Sequence, residues 1–143
     1  LGGGPPAPVP DAPATFRALH GAITEGQVRA IHDLSEGGLA VAAAEMAIAG
    51  RLGLELALSE IVRDATVTTD RAALFSESNS RFLVEVAPQH AATFEALMKG
   101  RPCARIGQVV ALPLLTVTGL AGGLVMEAPI DDLVAAWQSA EVV

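Results

Sequence analysis

The chain has 143 residues, of which 51% are hydrophobic, and it carries a formal net charge of −7 at pH 7. This length suits one domain with a single hydrophobic core, and the hydrophobic content excludes disorder along the whole chain. Its nine basic residues are scattered with almost no aromatic residues between them, which argues against a nucleic-acid groove because such a groove needs a concentrated positive field.

The first half of the chain predicts a linker followed by helices and strands. Residues 1–13 hold five of the nine prolines and three glycines, so we expect an extended linker there and one domain over residues 14–143. Apolar spacing predicts a helix at 14–27, a strand at 28–31, a polar turn at 32–36, a helix at 38–49 and a strand at 54–58. Gly50 and Gly53 indicate a glycine stop after the second helix, while the segment 59–71 is ambiguous.

The second half of the chain predicts more strands than helices. The expected elements are a strand at 82–86, a helix opening at Pro88, strands at 103–112, 114–118 and 124–127, and a helix from about Pro129. The glycine-rich segment 119–123 indicates a hairpin turn between the last two strands. In the final helix, Ile130, Leu133, Val134 and Trp137 have the spacing of a buried stripe. This order predicts an α/β sandwich of the α+β type, in which helices cover a mixed sheet.

One stretch, Ile106–Met126, has 21 residues without a charge and invites a membrane interpretation. Glycines, a proline and threonines divide it, so buried strands joined by turns explain it better than a spanning helix. The single cysteine, Cys103, excludes an intrachain disulfide and fits a reducing cytoplasm. Because the chain begins at Leu1 rather than Met, we expect a fragment of a longer chain.

The segment from Val28 to Leu39 predicts a strand–loop–helix junction, with Gly37 and Gly38 where the helix begins. Backbone N–H groups are unpaired at such a start and the helix dipole is positive there, so a phosphate would be stabilised. The segment matches neither a P-loop nor the dinucleotide-binding glycine pattern. The alternative is that Ser35 caps the helix and the glycines permit close packing. The residues alone leave both interpretations open.

A second polar segment, residues 74–81, immediately precedes the strand at 82–86. Its hydroxyl, carboxylate and guanidinium groups, among them Glu77, Ser78 and Arg81, could contact a polar ligand. An ordinary polar loop is the alternative, since serine and asparagine favour turns. The pairing of the two segments favours a site, because α/β sheets commonly place ligands at strand ends.

Other chemistry has less support. His32, Asp33 and Ser35 supply the residue types of a hydrolase triad, but the sequence has no Gly-x-Ser-x-Gly elbow. The histidines and Cys103 do not have metal-ligand spacing. Asp33 and Glu36 could assist a Mg²⁺ ion held mainly by phosphates, or could be acids at a turn and a helix start. We assign no catalytic residue and no protein metal site.

Four stretches together resemble one known family. Residues 32–41 with 44–47, residues 74–78 with 81–84, residues 106–109 and residues 132–137 are similar to the C-terminal domain of phosphoribosylformylglycinamidine synthases, within the aminoimidazole ribonucleotide synthetase superfamily. The resemblance spans nearly all of residues 14–140. The chain departs from many relatives at Asn79-Ser80.

The resemblance implies a part of an ATP-dependent ligase of purine biosynthesis, which converts formylglycinamide ribonucleotide to its amidine. It implies that Mg²⁺ neutralises the triphosphate, that a glutaminase subunit supplies ammonia, and that upstream N-domains of the same chain carry most ATP contacts. The fragment alone would then be inactive, and its location cytoplasmic. His32, Asp33, Ser35, Gly37 and Gly38 would shape an anion-facing loop, and Glu77, Ser78 and Arg81 would line the adjacent wall.

Two alternatives remain at this point. The domain could be a structural or assembly module that binds no substrate, in which case Trp137→Ala would destabilise it by a few kcal/mol as a core truncation does. It could also be the C-terminal domain of another ATP-dependent enzyme of the superfamily, such as a carbamoyl- or thiamine-pathway relative.

Overall fold

The computed structural model of the chain describes residues 9–139, so most of the predicted linker lies outside the described residues. The described part contains five helices and six strands: α1 (Ala12–Thr24), β1 (Val28–Asp33), α2 (Gly38–Gly50), β2 (Gly53–Ala57), α3 (Asp70–Phe75), β3 (Phe82–Val86), α4 (Ala91–Leu97), β4 (Gly107–Val110), β5 (Leu114–Thr118), β6 (Leu124–Pro129) and α5 (Ile130–Ser139). The first helix begins within the predicted linker segment, because the fixed φ of Pro13 suits the first turn of a helix.

The larger sheet is mixed, which confirms the predicted architecture. Its strand order is β4-β2-β5-β6, with β2 parallel to β5 and antiparallel to β4. Strands β5 and β6 form the predicted antiparallel hairpin, and its turn is closed by the Gly119 N–H donating to the Gly123 carbonyl at 2.7 Å. The remaining strands, β1 and β3, pair with each other as a separate antiparallel ribbon. The sequence did not predict this second sheet.

Helix α2 lies between the two sheets and forms the centre of the main core. It contacts both strands of the ribbon, strands β2 and β5, and helices α3 and α5. Its sequence is apolar on nearly all sides, which suits a helix packed on several faces, although Val41 is exposed. The largest fully buried side chains of this core are Leu39, Leu58, Leu115, Val117 and Ile130.

A smaller core covers the other face of the ribbon. Its buried side chains include Leu19 of α1, Phe94 of α4 and Met98 at the C-cap of α4. Alternate residues of β3 pack against them, while Leu83 packs into the main core. A two-stranded ribbon is only marginally stable by itself in water. Its stability here therefore depends on helices packed on both faces.

Several predicted boundaries are wrong in detail. Strand β1 continues to Asp33, so His32 and Asp33 lie in the strand rather than in a turn, because the ribbon pairing extends to Asp33 opposite Phe82. Strand β4 begins at Gly107, four residues later than predicted. The ambiguous segment 59–71 holds the end of a 3-10 turn, Leu58–Glu60, and the start of α3. The Thr69 hydroxyl caps α3 by accepting from the Ala72 N–H at 3.2 Å.

Two predicted end features are also wrong. Helix α2 ends at Gly50 as expected, but the left-handed C-cap that follows it is Arg51, with φ 53°, and not a glycine. Trp137 is 64% exposed, whereas Ile130 is buried and Leu133 and Val134 are partly buried. The stripe of α5 therefore leaves the core before its last turn. Among residues 9–139, none of the helices is both long enough and apolar enough to cross a membrane.

Candidate functional site

Two loops meet beside the N-terminus of α2: loop A, residues 34–37 between β1 and α2, and loop B, residues 76–81 between α3 and β3. The ribbon pairing sets the end of β1 against the start of β3, so both loops leave it at the same end. The Leu34 N–H donates to the Arg81 carbonyl at 3.1 Å. The Gly37 N–H donates to Glu77 Oε1 at 2.9 Å. The two polar segments singled out in the sequence are thus in direct contact.

Gly37 and Gly38 are both left-handed, with φ of 71° and 63°. A Cβ on Gly38 would lie 2.8 Å from the carbonyl oxygens of Leu74 and Ser76, and one on Gly37 would clash with the Val41 side chain. The space beside each Cα is therefore filled by protein atoms. Close packing explains both glycines, and a ligand would approach the α2 amides from the solvent side instead.

Ser35 does not cap α2, so the alternative in which its side chain is the N-cap is wrong. The N-cap residue is Gly37, without a side-chain cap, and the Ser35 hydroxyl donates to the Asp33 carboxylate. This hydrogen bond is the main cause that lowers the pKa of Asp33, with smaller contributions from backbone N–H groups and from His32. Asp33 therefore presents a carboxylate, with its side chain 58% exposed, at the mouth of loop A.

His32 joins the end of β1 to α2. Its Nδ1 lies 2.6 Å from the Asp33 carbonyl oxygen, and its Nε2 lies 2.7 Å from Glu45 Oε2. Both partners are hydrogen-bond acceptors, so a ring nitrogen that carries a proton can donate to the partner it faces. The side chains of His32 and Glu45 are partly exposed, at 33% and 39%.

Loop B is held by its own side chains. The Arg81 guanidinium donates to the Ser76 carbonyl at 3.0 Å, and burial lowers its pKa from the ordinary value. The Ser76 and Ser78 hydroxyls lie 2.9 Å apart, and Ser80 adopts a left-handed φ of 63°. Arg81 therefore has a structural contact in addition to any ligand contact.

The site as a whole is rich in acids. Asp33, Glu36, Glu45 and Glu77 lie in or beside loops A and B, together with the basic side chains of His32 and Arg81. Within residues 9–139, no three His, Cys, Asp or Glu side chains converge as metal ligands. Such an arrangement suits a phosphate accompanied by its own cation better than a bare phosphate, since carboxylates repel an uncompensated anion.

Glu45 is the residue of this cluster that the sequence analysis did not select. It lies two turns into α2, within residues 44–47 of the family resemblance, but the resemblance assigns no role to it. One signal was available, because Glu45 is the one charged residue in the otherwise apolar segment Gly38–Gly50. Burying part of a carboxylate in such a helix costs free energy unless a partner compensates it, and His32 is that partner.

Comparison with known proteins identifies similar domains. Residues 6–119 match the family described as AIR synthase related protein, C-terminal domain. The chain is 38% identical over 130 residues to the phosphoribosylformylglycinamidine synthase subunit PurL of Synechocystis sp., covering 89% of this chain and 16% of that protein. It is 40% identical over 116 residues to PurL of Deinococcus radiodurans, covering 81% of this chain and 15% of the relative. The chain thus spans about a sixth of these relatives.

Solved structures of Thermotoga maritima PurL have the same fold. The chain matches PurL complexed with ATP at 27% identity and a TM-score of 0.73, covering 82% of this chain and 20% of that one. It matches PurL complexed with FGAR at 26% identity and a TM-score of 0.76, covering 85% and 20%. A PurLQS structure matches at 26% identity and a TM-score of 0.76, covering 85% and 21%.

Proposed function

This chain belongs to the AIR synthase related protein C-terminal domain family, and we propose that it serves as the C-terminal domain of a phosphoribosylformylglycinamidine synthase. The full enzyme would use ATP to convert formylglycinamide ribonucleotide to its amidine. The observation that carries the proposal is the contact of loops A and B at the start of α2, in a chain that resembles PurL over most of its length.

We propose ATP as the nucleotide substrate that contacts loops A and B at the start of α2. The Gly37 N–H supports the proposal, because it already donates to an anionic oxygen, that of Glu77, at a helix start where a phosphate oxygen would also be stabilised. Asp33 and Ser35 would complete loop A, and Ser78 and Arg81 would complete loop B. A phosphate at the Gly37 amide would have to replace the Glu77 carboxylate, so Glu77 would change partner on binding.

Mg²⁺ would be held mainly by phosphate oxygens, because the described residues do not bring three metal ligands together. Asp33 and Glu36 are the acids of loop A that could contact the water shell of such an ion. We further propose upstream N-domains in the same chain, a glutaminase partner that supplies ammonia, and a cytoplasmic location. This fragment alone would then bind part of the substrates without turnover.

A hybrid enzyme tests the proposal: the Synechocystis PurL subunit with its matching segment replaced by this chain. We expect ATP-dependent amidine formation from formylglycinamide ribonucleotide with ammonium as the nitrogen source. Ser35→Ala should lower kcat/KM at least about tenfold, which corresponds to about 1.4 kcal/mol of transition-state stabilisation. The exposed acid Glu127 on β6 provides the matched control, Glu127→Ala, which should be neutral.

Two outcomes would contradict the proposal. A folded hybrid without turnover would refute the assignment to this enzyme. An active hybrid in which Ser35→Ala and Glu127→Ala both leave the kinetics unchanged would favour the alternative, a structural domain whose loops do not contact substrate.

A further inference from the structure

We propose that Glu45 is a positioning residue of the candidate site, acting through the His32 ring to hold loop A in its observed conformation. Glu45 lies on α2 and His32 on β1, so the 2.7 Å contact between Glu45 Oε2 and His32 Nε2 ties the buried helix to the ribbon. The catalytic part of this inference rests on the proposed function. The structural part concerns this chain alone.

The contact reaches loop A through the other side of the ring. With Nε2 fixed by Glu45, Nδ1 lies 2.6 Å from the Asp33 carbonyl oxygen, which orients the peptide group that opens loop A. The Asp33 carboxylate in turn accepts from the Ser35 hydroxyl. One series of hydrogen bonds thus runs from the middle of α2 to the exposed mouth of the site.

The His32–Glu45 contact fixes the distance between β1 and α2, the two elements that loop A connects. Loop A begins on the ribbon and ends on α2, and the His32–Glu45 contact joins the same two elements across that loop. The Gly37 amide that meets Glu77 therefore has its position fixed from both ends of loop A. A misplacement of about 1 Å in a catalytic loop can cost about a hundredfold in rate, so a remote carboxylate can affect turnover without touching substrate.

The experiment compares Glu45→Ala, Glu45→Gln and the control Glu127→Ala in this chain and in the hybrid enzyme. Glutamine keeps an acceptor oxygen for His32 Nε2–H, whereas alanine removes it. In the unaltered isolated chain we expect a slowly exchanging Nε2 proton signal from His32. Glu45→Ala should remove this signal and speed amide exchange in loop A at least about tenfold. Glu45→Gln should retain both features, and Glu127→Ala should change neither.

In the hybrid, Glu45→Ala should lower kcat/KM about tenfold to a hundredfold, with Glu45→Gln restoring most of it. Unchanged loop A exchange in Glu45→Ala would overturn the positioning role. Faster exchange with unchanged kcat/KM would overturn its catalytic relevance while leaving the proposed function intact. An inactive hybrid carrying the unaltered chain would refute the proposed function and the catalytic part of this inference, and the exchange measurement would still decide the structural part.

Discussion

Replacing Gly38 by alanine tests how closely α2 packs against the end of α3. The new Cβ would lie 2.8 Å from two backbone carbonyl oxygens, those of Leu74 and Ser76. Backbone atoms cannot rotate away as a side chain can, so α2 and loop B would have to separate. Gly26 offers a matched control, because its φ of 71° is equally left-handed and nothing lies within 4 Å of its Cβ position.

The magnitudes follow from these two geometries. An alanine in the left-handed region destabilises the fold by roughly 1–2 kcal/mol. Replacing glycine by alanine also lowers the conformational entropy of the unfolded chain, which stabilises the fold by about 0.4–1 kcal/mol. Gly26→Ala should therefore lower the free energy of unfolding by about 0–1.5 kcal/mol. Gly38→Ala adds an overpacking cost of roughly 1–3 kcal/mol, so its total loss should be about 1–4.5 kcal/mol.

Urea unfolding followed by circular dichroism measures both variants. The midpoint should shift further for Gly38→Ala than for Gly26→Ala, at an unchanged dependence on urea concentration. Equal shifts would refute the close approach of α2 to loop B, and with it the packing explanation of this glycine.

Three further predictions concern stability and reactivity. Trp137→Ala should change the free energy of unfolding by less than about 0.5 kcal/mol because the ring is exposed. Leu115→Ala, in the core, should lower it by about 2–5 kcal/mol in the same urea assay. A large loss for Trp137→Ala would contradict the observed exposure. The pKa of Asp33 is lower in the folded chain than in the unfolded chain, so its ionised carboxylate stabilises the fold above the unfolded pKa of about 3.9, and this stabilisation is lost as the pH falls below that value. Between about pH 5 and pH 3 the Tm should therefore fall less for Asp33→Asn than for the unaltered chain. Equal falls would count against the Ser35 hydrogen bond. Burial, and then Glu95, raise the pKa of the Cys103 thiol, so Glu95→Gln should speed its alkylation near pH 7, and an unchanged rate would exclude that charge effect.

Local sequence patterns predicted the elements whose partners are close along the chain. The β5–β6 hairpin follows from alternating strands on either side of the glycine-rich turn, and α2 from a continuous apolar run. The pairing of β1 with β3 joins residues 49 to 58 positions apart, and no local pattern specifies it. This pairing is what separates the ribbon from the larger sheet, so the two-sheet arrangement could not be predicted from periodicity.

In the candidate site, too, local features could be predicted from the sequence and contacts between distant segments could not. The polar residues of loops A and B could be selected from the sequence because they flank predicted strands and a helix start. Glu45 stands out in the sequence only as the one charged residue of α2, and its contact with His32 could not be predicted because it depends on the three-dimensional approach of α2 to β1. The sequence also could not decide what the space beside Gly38 contains, because the carbonyl oxygens that fill it belong to a segment about forty residues away.

The most direct test of the central claim, that loops A and B form one wall of a substrate site, is hydrogen–deuterium exchange of the hybrid enzyme with and without ATP, Mg²⁺ and formylglycinamide ribonucleotide. Peptides covering residues 34–37 and 76–81 should become protected together when substrates bind, while peptides from β6 should not change. Normal turnover of the hybrid with no change in either loop would contradict the account.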